Sequence, residues 1–161
     1  MENQEVSGLP QKGFSAEYQR IFSMQDLEDF ARLSSDDNPI HTDPQYAAQT
    51  SFGKPVVHGV LLLSMFSRIF GNQYPGEGSV YLAQSADFLR PAYPGQQILA
   101  RVVLDEIIPE KRLGIFRTEC FNEAGKRILS GRAEVLFPER FFPEQHPAGK
   151  SASVFLRRSS V

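Results

Sequence analysis

The sequence predicts an α+β domain, a curved antiparallel sheet of about five strands wrapped around one apolar helix. The first observation behind this is the run HGVLLLSMFSRIFG at 58–71, apolar on nearly every side between Val60 and Phe70 and interrupted only by Ser64, Ser67 and Arg68. A membrane-spanning helix needs about 20 residues, so this shorter run reads as a helix buried in a core. The second is a series of long runs at 79–91, 96–108, 112–123 and 126–138, rich in Val, Ile, Leu, Phe and Tyr and separated by turn signals at Pro94-Gly95, Pro109-Glu110 and Ala124-Gly125. The third is alternation within them. Ile98, Ala100, Val102 and Leu104 alternate with Arg101 and Asp105, and Leu129, Ala133, Val135 and Phe137 with Arg132 and Glu134, so these strands have one wet face and one dry face. A sheet with one dry face and an apolar helix solve each other's burial problem when the sheet wraps the helix.

Along the chain, residues 1–15 carry Gly8, Pro10 and Gly13 with little apolar periodicity and read as a flexible lead-in. The domain itself is bounded at 16–140 and opens with a strand near AEYQRIF. Ser23 then has the chemistry of a helix cap, with Asp26 completing a capping-box variant, and starts MQDLEDFARLS, where Leu27, Phe30, Ala31 and Leu33 share an apolar face. This helix ends at Ser34 or Ser35, because Asn38-Pro39 follows and the residue before a proline is pushed out of helical backbone. A loop holds the charged residues as far as Asp43, which caps a short second helix with Pro44 at its first position. Phe52-Gly53 breaks it before the apolar run begins. Residues 141–161, with the Ser-rich stretch HPAGKSASVFLRRSS, read as a mobile tail. A single layer of sheet leaves a lone chain too exposed, so a homodimer is expected.

Charge and composition exclude several function classes. The formal net charge is −2, which provides no basic surface for nucleic acid, and 41% hydrophobic residues against 22% charged ones suit a packed core rather than disorder. The single cysteine, Cys120, rules out an internal disulfide framework and a multi-thiolate zinc site. No export or organelle signal stands in MENQEVSGLPQKGFS, so a cytoplasmic location is expected, without membrane association. Nucleotide and flavin motifs are lacking too, and no redox cofactor or metal is expected.

The chemistry concentrates in SSDDNPIHTD at 34–43. Pro39 fixes one dihedral between Asp36 and His41 and restricts Asn38, so a carboxylate and an imidazole are held in a preset relation. Such a pair can remove a proton from a water and return one to a neighbouring carbon, the requirement for adding water across a double bond. The reaction also needs a polarised carbonyl. Gly59, at the start of the apolar helix, lets a thioester carbonyl approach its backbone N–H where the positive end of the helix dipole stabilises developing charge.

The segments SSDDNPIHTDPQYA, FGKPVVHGVLLLSMFS and GSVYLAQSADFLRPAYPGQQI together resemble the (R)-specific enoyl-CoA hydratases of the MaoC-like group, which have the hot-dog fold. The likeness runs from about Met24 to Phe137, with Ser35 standing where a glycine is common before the aspartate. It implies reversible hydration of the trans-2 double bond of an enoyl-CoA or enoyl-acyl-carrier-protein, with Asp36 and His41 as catalytic groups and Gly59 on the carbonyl oxygen. It also implies that a serine of the helix, Ser64 or, by spacing, Ser67, helps place the catalytic residues. Asn38 is expected to orient the loop or the histidine, and His58 to pack against or bond to the loop. Lys54, Arg68 and Arg90 are generic candidates for phosphate contacts; the sequence distinguishes neither acyl-chain length nor carrier.

Two other readings of this fold compete: an acyl-CoA thioesterase, which would need a carboxylate on the central helix, and a non-catalytic acyl-thioester-binding protein, which would not need Asp36 and His41. A metal reading rests on His41-Thr42-Asp43 as an H-x-D pair, for which His58 lies too near in sequence to complete a strand-built site.

Overall fold

The computed structural model of the 161-residue chain describes residues 10–142. Its order is β1 (Ser15–Ile21), α1 (Met24–Ser34), α2 (Pro39–Thr42), α3 (Pro44–Ala48), α4 (Gly59–Asn72), β2 (Val80–Phe88), β3 (Gln97–Ile108), β4 (Leu113–Phe121) and β5 (Arg127–Leu136). The strands form one antiparallel sheet in the order β1-β3-β4-β5-β2. Most of the expected lead-in and tail lies outside the described residues. Where the two meet the domain, Pro10 is buried, the Gly13 N–H donates to the Leu104 carbonyl at 2.7 Å, and Phe141 and Phe142 pack against the core.

Local sequence chemistry explains the helix boundaries. The Ser23 hydroxyl accepts from the Asp26 N–H while the Asp26 carboxylate accepts from the Ser23 N–H at 2.7 Å, a complete capping box that Arg20 reinforces with an ion pair to Asp26. Those bonds, led by the Ser23 N–H, hold the Asp26 carboxyl below its ordinary pKa. Asp43 caps α3 as expected, its carboxylate accepting from the N–H groups of Gln45 and Tyr46. Two expectations are corrected. The 34–43 segment is not all loop: Asn38 accepts from the Ile40 N–H and, with Pro39 at the first helical position, starts the one-turn helix α2. Leu33 is 81% exposed, because the buried stripe of α1 runs through Leu27 and Ala31 and position 33 falls on its far side.

The sheet curls around α4. Ile98, Ala100, Val102 and Leu104 of β3, Phe116 and Cys120 of β4, and Leu129, Ala133 and Val135 of β5 point inward and are buried. They meet Leu62, Met65, Phe66, Ile69 and Phe70 of α4 in one core. Each of the Val, Leu, Ile, Phe and Met side chains contributes about 1.5–3 kcal/mol when fully buried, and Phe70 sits edge-on to Phe116 and Tyr81 at 5.0 Å. The expectation that α4 is buried all round is also corrected: Val60, Ser64, Ser67 and Arg68 lie on a face this chain leaves uncovered, with Val60 62% exposed. That face continues onto β2, which pairs only with β5, carries a bulge at Leu82 and exposes Val80, Leu82 and Phe88. Among the described residues, no helix is long and apolar enough to cross a membrane.

Candidate active site

The site forms where α1, α2 and the start of α4 meet. After α1 the chain turns sharply at Ser35, whose φ of 61° and ψ of 21° lie in the left-handed region, conformations that favour glycine. This backbone explains why a residue without a side chain suits the position before Asp36. The Ser34 hydroxyl accepts from the Asp36 N–H at 3.2 Å and so ties the turn to the helix end. Next comes α2, where the Asn38 cap and Pro39 place His41 one turn on. Asn38 therefore orients the loop rather than the imidazole.

His41 is held from the opposite side by the segment before α4. Its Nδ1–H donates to the Val56 carbonyl at 2.7 Å, while the Val56 N–H donates to the Ile40 carbonyl at 3.2 Å. With Nδ1 protonated by this bond, the neutral ring keeps its lone pair on Nε2. Residues 55–58 are all buried, and the Val57 N–H donates to the Ala92 carbonyl at 2.8 Å, anchoring the segment to the chain after β2. The imidazole's mount is therefore rigid.

A carboxylate oxygen of Asp36 and ring nitrogens of His41 and His58 all lie within 4.8 Å of one another. One water can bridge such a span with hydrogen bonds of about 2.8 Å on each side. The trio has the donor chemistry of a cation site, and the His41 and His58 rings stack at 3.8 Å with 25° between their planes. Of the H-x-D pair, Asp43 is not in this trio; its Oδ1 accepts from the N–H groups that open α3.

Gly59 is the first residue of α4, following directly on His58. The opening N–H groups of a helix have no intrahelical partner and carry its positive end. A Cβ built on Gly59 would stand 2.9 Å from Cε1 of Phe88, a ring that is itself 52% exposed. Sequence reasoning missed Phe88, Val56 and Phe30, whose ring lies edge-on to His58 at 4.8 Å; no local pattern links residues so far apart. Ser64 and Ser67 are exposed on α4, the Ser64 hydroxyl donating to the Leu61 carbonyl at 2.6 Å, so neither serine is bonded to the pair within this chain. Of the cationic candidates, Lys54 lies over the Tyr93 ring at 4.5 Å, Arg68 over Tyr18 at 4.8 Å, and Arg90 donates to the Arg127 carbonyl at 2.6 Å.

An open cavity of about 480 Å³ lies elsewhere, on the outer face of the sheet among Gln19, Gln97, Arg101 and Glu123. Its polar groups already satisfy one another: Gln97 Nε2 reaches Gln19 at 2.5 Å, and Arg101 pairs with Glu17 at 2.6 Å. Its lining holds no acid–imidazole pair.

Fold and site together define a hot-dog domain carrying an acid–imidazole pair against the amide end of its central helix. Comparison with known proteins gives the family. Residues 5–119 match the MaoC like domain, and the chain belongs to that family. It is 39% identical over 126 residues to an (R)-specific enoyl-CoA hydratase of Aeromonas caviae, covering 78% of this chain and 94% of that protein. It is 35% identical to a mitochondrial 3-hydroxyacyl-[acyl-carrier-protein] dehydratase of Arabidopsis thaliana, covering 80% of this chain and 78% of that one. The solved (R)-hydratase from A. caviae, described as involved in PHA biosynthesis, superposes with a TM-score of 0.78 at 37% identity, covering 84% of this chain and 99% of the other.

Proposed function

We propose that this chain is a hydro-lyase that reversibly adds water across the trans-2 double bond of an enoyl thioester to give the (R)-3-hydroxyacyl product. The observation that carries the reading is the mounting of His41. Its Nδ1–H is committed to Val56, which leaves Nε2 as the basic atom of a ring that has a nitrogen within 4.8 Å of the Asp36 carboxylate. In the forward direction the pair takes one proton from the bound water, its oxygen bonds to the β-carbon, and the α-carbon receives a proton. Charge that builds on the thioester oxygen falls on the Gly59 N–H. The reaction is redox-neutral, and no step requires a metal or redox group. The names of the relatives from Aeromonas caviae and Arabidopsis thaliana support both the (R) product and the choice of coenzyme A or acyl carrier protein as carrier.

The thioesterase alternative has less support, because α4 carries no carboxylate between Gly59 and Asn72. A non-catalytic binding protein would leave the preset pair without a use. The reading extends to a cytoplasmic homodimer, for which the free, buried Cys120 and the uncovered face of α4 and β2 are the supporting features.

Crotonyl-CoA tests all three readings in one cuvette with a thiol reagent present. Loss of the conjugated enoyl absorbance without free thiol, yielding (R)-3-hydroxybutyryl-CoA on chiral analysis, is the expected result. Release of thiol would establish a thioesterase instead, and an unchanged spectrum across a chain-length series on both carriers would remove the enzymatic reading altogether.

A further inference from the structure

His58 is the most enclosed polar side chain of the site, 1% exposed, and its ring has two sides at work. On one side the Nε2–H donates to the backbone carbonyl of Asp36 at 3.3 Å, across 22 residues of sequence. Its face lies against the His41 ring at 3.8 Å, and the edge contact with Phe30 locks the rotamer from α1. Nδ1 is buried with no hydrogen-bond partner. The backbone of His58 is the N-cap of α4, its carbonyl accepting from the Leu61 N–H at 3.0 Å, and its side chain does not cap the helix.

These contacts settle its protonation state by geometry. The Nε2–H is used by the Asp36 carbonyl, so a second proton would have to sit on Nδ1, in a buried position without an acceptor. The charged groups facing the ring are His41 from α2 and Asp36 from the preceding turn. Burial lowers the His58 pKa most, and repulsion from His41 adds to it, against the opposing bond to the Asp36 carbonyl and the Asp36 charge.

We propose that His58 is a positioning residue of the hydration site: a neutral imidazole that fixes Asp36, His41 and the first residue of α4 relative to one another. The inference rests on the hydration reading and deepens it. A single ring takes the loop carrying Asp36 by a hydrogen bond and the ring of His41 by stacking, and its own backbone sets where the Gly59 N–H begins. Whenever His41 carries a second proton in the cycle, the face beneath it is a neutral π-surface that favours a cation, whereas a charged neighbour would oppose one. Misplacing a catalytic group by about 1 Å costs about 10²-fold in rate, so removing this tie acts on turnover more than on substrate affinity.

Two variants separate the two contacts. His58→Gln keeps an N–H within reach of the Asp36 carbonyl and loses the stacked ring; His58→Phe keeps the ring and loses the N–H. With crotonyl-CoA each is expected to lower kcat by about tenfold or more with KM changed less than about twofold, the split expected of groups that act in the transition state. Unchanged kcat in both, or a loss that merely follows the unfolded fraction in thermal melts, overturns the proposal. Nitrogen–proton correlation spectra of the wild-type imidazoles test it even where a variant does not fold. The neutral His58 ring is expected to carry its proton on Nε2 and to gain a second one only at lower pH than an ordinary imidazole; titration at the ordinary imidazole value, or a neutral ring with its proton on Nδ1, overturns it. If the wild-type protein fails to hydrate any enoyl thioester, the hydration reading falls by that result alone, while the spectra still report whether His58 is the neutral tie described.

Discussion

At Ser35 a side chain occupies left-handed backbone, at a cost on the order of 1–3 kcal/mol that glycine avoids. The turn it makes puts the next residue, Asp36, outside α1 and facing α2. Asp36 is exposed and His41 half-buried, and glutamine at 41 keeps a side-chain N–H for the buried Val56 carbonyl, so neither replacement opens the core. Loss of activity on substitution then reports chemistry rather than folding. Asp36→Asn and His41→Gln are each expected to leave the melting temperature close to wild type and to lower hydratase turnover by about 10²–10⁴-fold. Steady-state kinetics with crotonyl-CoA decides it, and near-normal turnover in either variant would remove that residue from the mechanism.

On the proposed reading, the element that receives the thioester oxygen is α4. Alanine forms helix better than glycine, so Gly59→Ala does not weaken α4 by propensity. Its methyl group would stand 2.9–3.1 Å from three ring carbons of Phe88, and that ring is exposed enough to swing away. What cannot move is the methyl itself, which occupies the space through which a carbonyl oxygen reaches the N–H. Loss of one such donor costs about 10²–10³ in kcat. Gly59→Ala is therefore expected to fall toward that range with thermal stability nearly unchanged; a variant that turns over like wild type would place the oxyanion donor elsewhere. The elements also show what was legible from sequence. The Ser23–Asp26 box, the Asp43 cap and the alternation in β3 and β5 depend on residues within a few positions of each other, and each appears where its pattern indicates. The proximity of Asp36 and His41 was legible for the same reason, with Pro39 between them. The tie from His58 to Asp36 and the ring of Phe88 over Gly59 depend on how α1, α4 and β2 pack together, and no short-range pattern encodes that. Leu33 shows the converse limit: an apolar residue can fit a helical repeat loosely and still face water.

At the scale of the whole molecule the uncovered face needs an explanation. Among the described residues β2 has β5 on one side and no strand on the other, so one row of its N–H and C=O groups is unpaired in the sheet, on a strand that exposes Val80, Leu82 and Phe88. An edge so apolar invites another strand. A second copy related by a two-fold axis would supply its own β2 in antiparallel register, extend the sheet and cover the exposed side of α4 with the same surface of its partner. That face adjoins Gly59 and Phe88, so the acyl path beside Asp36 and His41 would be walled by both copies. Val80→Lys with Leu82→Lys tests this directly. Both side chains are exposed in the isolated chain, so the core of each copy keeps its packing, while two like charges per copy meet across the two-fold axis. Light scattering after size exclusion is expected to give twice the 18.1 kDa chain mass for wild type and a single-chain mass for the double variant. Hydratase activity should fall with the dimer and return at protein concentrations that restore it; a wild-type monomer of full activity would contradict both the interface and the shared wall.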